Sequence, residues 1–138
     1  ILLLIPSIRS LDRYAQNIPD AAYELITEFW PGGLTLIFEA SLKIPPLLTS
    51  GTGKVGLRMS SHPIADKLVK TAGIPITGTS ANISGQPSCS RPEEVVASMG
   101  NSIDLISMIP PPTYIQGEIE FPTILTAKSL HSGPWIIL

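Results

Sequence analysis

Gly73-Ile74-Pro75-Ile76-Thr77-Gly78-Thr79-Ser80-Ala81-Asn82-Ile83-Ser84-Gly85-Gln86-Pro87-Ser88 is the stretch from which the rest of the chain is read. Gly73 to Ile76 reads as a short buried strand. The next twelve residues are mostly hydroxyls, carboxamides and glycines, with little bulk between them. Small side chains let a ligand approach the backbone, and Ser, Thr and Asn offer donors and acceptors at short reach. A packed core has no use for so many polar groups, since each one buried without a partner costs about 1–3 kcal/mol. A plain turn needs fewer of them. Two readings stand side by side, a polar Asx/Ser-rich turn and a loop that cradles an anionic ligand.

On either side of this stretch the pattern is helical. Upstream, Ser61 or His62 followed by Pro63 starts a helix with Ile64, Leu68 and Val69 on its apolar face. Downstream, Ser90-Arg91-Pro92-Glu93 reads as a capping box, opening a helix that runs to Met99 and ends at Gly100. Further out, Ile1 to Ile5 is a buried strand and Ser10 to Gln16 a short helix. Asn17 caps a second helix with Pro19 in its first turn, and Ala22, Leu25, Ile26 and Phe29 form its buried face. Trp30-Pro31-Gly32-Gly33 stops that helix. Leu34 to Phe38 and Val55 to Met59 are strands, joined by a Pro/Gly/Ser/Thr-rich loop from Ser41 to Lys54. Late strands are expected at Asp104 to Met108, Thr123 to Thr126 and Trp135 to Leu138, with Pro110-Pro111-Pro112 as a break. Helices and short strands alternate, which predicts an α/β (α+β) fold, a twisted mixed β-sheet flanked by helices.

The chain has 138 residues, enough for one domain with a core. Hydrophobic residues make up 43% and charged residues 14%, yet no apolar run approaches the roughly 18–20 residues of a membrane-spanning helix. Membrane partners are not expected. The chain starts in one strand and ends in another, so residues 1–138 are expected to be a single domain that is incomplete at both ends. Cys89 is the lone cysteine. It rules out an internal disulfide and points to a reducing, cytoplasmic setting. No Cys/His cluster has zinc spacing, and His62 and His131 are isolated.

The net charge of −2 is unevenly spread. Residues 1–40 hold five acids against Arg9 and Arg13. Residues 41–92 hold six bases (Lys43, Lys54, Arg58, Lys67, Lys70, Arg91) against Asp66. From Glu93 onward, five acids face Lys128. The polar loop lies in the basic third, which favours an anionic ligand such as a nucleotide or a carboxylate. Lys67 and Lys70 read as the solvated face of a helix. Arg58 lies within an apolar strand and must be paired if it faces the core. It either meets a structural carboxylate or awaits an anionic ligand, for which its planar fork is suited.

Three stretches in this order resemble the YrdC-like threonylcarbamoyl-AMP synthase family. They are Phe29-Trp30-Pro31-Gly32, then Val55-Gly56-Leu57-Arg58 with His62-Pro63, then Thr79-Ser80-Ala81-Asn82 with Ser84-Gly85 and Pro87-Ser88. The resemblance implies an enzyme that joins L-threonine, bicarbonate and ATP, with Mg²⁺, into threonylcarbamoyl-adenylate and releases pyrophosphate. A partner transferase complex then passes the threonylcarbamoyl group to a tRNA adenosine. Carried over to this chain, the resemblance implies threonine binding by Arg58, Gly78 and Thr123, and ATP binding by Ser80, Ser88, Lys54 and Asn82.

The chain departs from the family at several points. A lysine–arginine pair of the family's N-terminal segment has no counterpart after Ile1. Pro122-Thr123 stands where the family has a Ser-Thr pair, and Lys54 stands where it often has a small hydroxyl residue. These departures imply that the 138-residue chain alone is inactive. Two other readings remain. One is an RNA-binding module, although the basic third holds no Phe, Tyr or Trp on which bases would stack. The other is the related carbamoyl-adenylate-handling domain of a hydrogenase maturation enzyme, which normally accompanies zinc-finger cysteines.

Overall fold

The structure is a computed structural model that describes residues 1–108, 124–128 and 136–137. It divides into two compact units, Ile1–Gly78 and Thr79–Leu138.

The first unit is a mixed five-stranded sheet with helices. Its strands are β1 (Leu2–Leu4), β2 (Ala15–Gln16), β3 (Leu36–Ala40), β4 (Lys54–Arg58) and β5 (Ile76–Gly78), in the order β2-β3-β4-β1-β5. β1 runs parallel to β4 and antiparallel to β5, and β3 is antiparallel to both β2 and β4. The helices are α1 (Leu11–Tyr14), α2 (Asp20–Phe29), α3 (Pro46–Thr49) and α4 (Pro63–Ala72).

Strand alternation sorts the residues of this sheet onto two faces. Leu3, Phe38, Val55 and Leu57 are 6% exposed or less. They form one core with Leu11 and Tyr14 of α1, Ala22 and Ile26 of α2, and Trp30. Burying a side chain such as Leu57 contributes about 1.5–3 kcal/mol. The opposite face carries Ile37 and Glu39 of β3, Lys54, Gly56 and Arg58 of β4, Leu2 and Leu4 of β1, and Ile76 and Gly78 of β5. Towards β3 this face is open, with Ile37 71% exposed.

Several boundaries differ from the sequence expectations. Asn17 does not cap α2. It sits at φ 50, its Nδ2 donates to Glu39 Oε2 at 2.6 Å, and Pro19 takes the cap position. A proline N-cap leaves the first-turn amides to other partners, and Ala22 N reaches Pro19 O at 2.9 Å. The buried stripes of α2 and α4 are narrower than expected. Ala22 and Ile26 are buried in α2, and Ala65 and Val69 in α4. Leu25, Phe29, Ile64 and Leu68 are each 40–50% exposed. A helix that buries one i, i+4 ridge leaves the neighbouring apolar positions at the rim. The loop from Ser41 contains α3, and β3 begins two residues later than predicted, at Leu36. Gly73 ends α4 at φ 67, a left-handed cap that glycine adopts without strain. β5 therefore starts at Ile76 and takes in Thr77 and Gly78 from the expected loop.

The second unit contains α5 (Pro92–Met99) and strands β6 (Leu105–Met108), β7 (Ile124–Lys128) and β8 (Ile136–Ile137). The strands pair antiparallel in the order β8-β7-β6. Val95 and Met99 of α5 pack with Ala81. Glu94 closes the α5 cap, one residue later than the predicted Glu93. Its carboxylate accepts from the Ser90 and Arg91 amides at 2.8 and 3.3 Å and from Arg91 Nε at 3.1 Å. The amide of Ser90 first, then the Arg91 side chain, holds the Glu94 carboxyl below its ordinary value. Pro110-Pro111-Pro112 and Thr123 lie outside the described residues.

Candidate active site

Arg58 is the last residue of β4, and its orientation is set by the turn after α2. Trp30 anchors that turn, with its Nε1 donating to Leu34 O at 2.7 Å and its ring in the core. The amide of Gly32 then donates to Met59 O at 2.8 Å. In return Arg58 Nε donates to Gly32 O at 2.8 Å. A Cβ at Gly32 would lie 2.2 Å from Phe29 O, so a side chain does not fit there. Arg58 makes no ion pair among the described residues. Its Nε is fixed and its two terminal amino groups remain available, a geometry that matches a carboxylate or phosphate end-on.

Register places Arg58 on the sheet face opposite the main core, where Leu4 and Ile76 are buried and Ile37 is exposed. Leu4 lies between Arg58 and Ile76, and one step along the strands Leu2 lies between Gly56 and Gly78. Arg58 and Gly78 thus share a face, two strand spacings apart and two residues offset along the strands, about 12 Å. Cβ atoms at Gly78 and Gly56 would meet Leu2 Cδ2 at 3.3 Å and Thr35 Cγ2 at 3.2 Å. The Leu2 and Thr35 side chains lean over these glycines, so neither position takes a side chain without a shift of its neighbours. Lys54 is exposed on the same face, two residues before Gly56.

In the second unit the polar loop is braced by Asn82. Its Oδ1 accepts from Ser80 Oγ at 2.5 Å, and its Nδ2 donates to Ile83 O at 3.0 Å and Gln86 O at 2.8 Å. Both amide donors are spent inside the loop, so Asn82 shapes it. Cys89 N closes the loop onto Ala81 O at 2.8 Å. Ser88 is exposed and its hydroxyl has no hydrogen bond among the described residues. The structure thus brings Arg58, Gly78 and Lys54 onto one face of the first unit, and Ser80 and Asn82 into one bonded loop of the second. Among the described residues, the buried polar atoms without partners are Thr77 Oγ1, on the core-facing side of β5, and His62 Nδ1 at the start of α4.

The Sua5/YciO/YrdC family model, described as "Telomere recombination", matches residues 1–118. The chain belongs to the Sua5/YciO/YrdC family. A threonylcarbamoyl-AMP synthase of Pyrococcus abyssi (strain GE5 / Orsay) is 38% identical over 106 residues, covering 77% of this chain and 31% of the relative. A threonylcarbamoyl-AMP synthase of Vibrio cholerae (strain ATCC 39541 / Classical Ogawa 395 / O395) is 34% identical over 108 residues, covering 77% of this chain and 57% of the relative. Among solved structures, P. abyssi Sua5 complexed with L-threonine superposes with a TM-score of 0.68 at 36% identity, over 75% of this chain and 30% of that one. E. coli YciO gives a TM-score of 0.57 at 28% identity, over 70% of this chain and 47% of that one. The chain thus spans 31–57% of the length of these synthases.

The mixed sheet with helices is the Sua5/YciO/YrdC fold that the sequence led us to expect. Gly32 and Gly56 were missed as residues of the site. The Trp30-Pro31-Gly32-Gly33 stretch reads as a helix stop, and nothing in its composition reveals that Gly32 O receives Arg58 Nε. The period-two pattern of β4 does carry a signal for Gly56, since it puts Gly56 on the same face as Arg58.

Proposed function

We propose that this chain supplies the threonine-carboxylate clamp and the nucleotide-facing loop of an ATP-dependent threonylcarbamoyl-adenylate synthase. The observation that carries this reading is Arg58. It is oriented by Gly32 O, free of acidic partners among the described residues, and set on the same sheet face as Gly56 and Gly78. Homologues are threonylcarbamoyl-AMP synthases, and a related Sua5 has been solved with L-threonine.

In this reading the terminal amino groups of Arg58 grip the threonine carboxylate. The backbone at Gly78 faces the amino acid, and Thr123 adds a hydroxyl contact. Ser80 and Ser88 meet ATP from the loop that Asn82 braces, and Lys54 faces phosphate. The threonine nitrogen bonds to the bicarbonate carbon with loss of water. A carbamate oxygen then attacks the α-phosphorus of ATP, and the bond to the β-phosphate breaks to release pyrophosphate. The protein's contribution is positioning and charge stabilisation. Among the described residues no three His, Cys, Asp or Glu side chains converge on a metal site. Mg²⁺ is commonly held through substrate phosphates and water, and in this reading it would arrive with ATP. The adenylate would pass to a tRNA-modifying transferase.

The test is pyrophosphate release by the full-length protein with ATP, L-threonine and bicarbonate. The proposal expects release to stop when either threonine or bicarbonate is withheld. Release that needs neither would contradict it.

A further inference from the structure

On the helical side of the first unit, Ser7, Arg9, Ser10, Asp12, Arg13 and Lys43 line an open depression of about 520 Å³. All six are polar or charged residues. Three cations face one carboxylate there, on a chain whose net charge is −2. None of the three cations makes an ion pair among the described residues. The Asp12 carboxylate is turned to another partner, accepting from Tyr23 Oη at 3.4 Å.

The fold assembles this cluster from separate segments. Sequence places Arg9 and Arg13 in an acidic third of the chain and Lys43 in the basic third. Ser41 joins them. Its Oγ donates to Arg13 O at 2.7 Å and its amide to Tyr14 O at 2.9 Å. The same Oγ accepts from Lys43 N at 3.3 Å. Across the depression, Ser10 Oγ donates to Ser7 O at 2.6 Å, fixing the turn that carries Arg9. Backbone-anchored turns thus hold three like charges around one hollow, an arrangement that repels itself until an anion enters. Leu11 and Tyr14 of α1 pack on the core face of the sheet, whereas Arg58 lies on the opposite face. The depression is therefore separate from the proposed threonine clamp.

We infer that the hollow between Arg9, Arg13 and Lys43 is a second anion site that takes a phosphate group. Two guanidiniums and an ammonium can reach a tetrahedral oxyanion there, and the Ser7 hydroxyl adds a donor of the same kind, the Ser10 proton being spent on Ser7 O. The group can come from a free phosphate or from a nucleic-acid backbone.

Titration of inorganic phosphate into the isotope-labelled chain, followed by amide NMR, tests this. Saturable one-to-one shifts are expected at Arg9, Ser10, Arg13 and Lys43, weakening with added salt. Lys43→Ala and Arg13→Ala, both at exposed positions, should each weaken binding about tenfold. Lys67→Ala on α4 should leave it unchanged. A short RNA duplex that displaces phosphate from the same amides assigns the group to a nucleic-acid backbone, and phosphate binding that RNA does not displace assigns it to a free phosphate. Absence of saturable shifts in the wild-type chain, or shifts indifferent to both variants, would overturn the inference. Neither result bears on pyrophosphate release.

Discussion

Gly32 holds Arg58 through its carbonyl and is itself held through its amide to Met59 O, so one residue fixes both the end of β4 and the guanidinium beyond it. A charge-assisted bond of this kind contributes about 1.5–3 kcal/mol. Gly32→Ala places a methyl group 2.2 Å from Phe29 O, and the turn must move to admit it. We expect a loss of about 1–3 kcal/mol in urea unfolding, accompanied by weaker threonine binding. An unchanged unfolding midpoint would mean that the turn is not a rigid brace. Arg58 itself was legible from the sequence because a cation inside an apolar strand needs a partner. Its brace was not, because Gly32 lies 26 positions away and acts through its backbone, which residue type does not report.

Among the elements, β4 was the most readable, since Val55 and Leu57 alternate with Gly56 and Arg58 and the pleat does the rest. The helices were readable in position but not in the width of their buried face. Leu25 and Phe29 continue the apolar pattern of α2 and still stay half exposed, because the helix buries only the Ala22–Ile26 ridge. The cap of α5 was off by one residue for a local reason. Both Glu93 and Glu94 can reach back, and with Arg91 at the N-cap it is Glu94 that stands at the third helical position. The Glu94 carboxyl has a lowered folded-state value. Its contribution to stability is therefore present above the unfolded value of 4.5 and lost as pH falls through the lower folded value. Glu94→Ala should unfold more readily than wild type at neutral pH, with the difference vanishing once pH is below both values. Denaturant midpoints across that window check this, and a gap that persists in acid would show that the carboxylate charge is not its source.

At the scale of the molecule, the order of three short motifs conveyed the family, and the sheet of the first unit bears it out. Charge counted along the chain conveyed less. It placed basicity in the middle third, yet the fold carries Lys43 back to Arg9 and Arg13 while Lys70 is neutralised by Asp66 at 2.7 Å. Linear charge cannot foresee which residues a sheet and its turns bring together. The central claim is that the first unit holds the carboxylate of an amino acid through Arg58. Calorimetric titration of L-threonine and of ATP into full-length wild-type protein and Arg58→Ala tests it most directly. The account predicts that the substitution weakens threonine about tenfold or more and leaves ATP nearly unchanged. An equal loss of both ligands, or none of either, would contradict it.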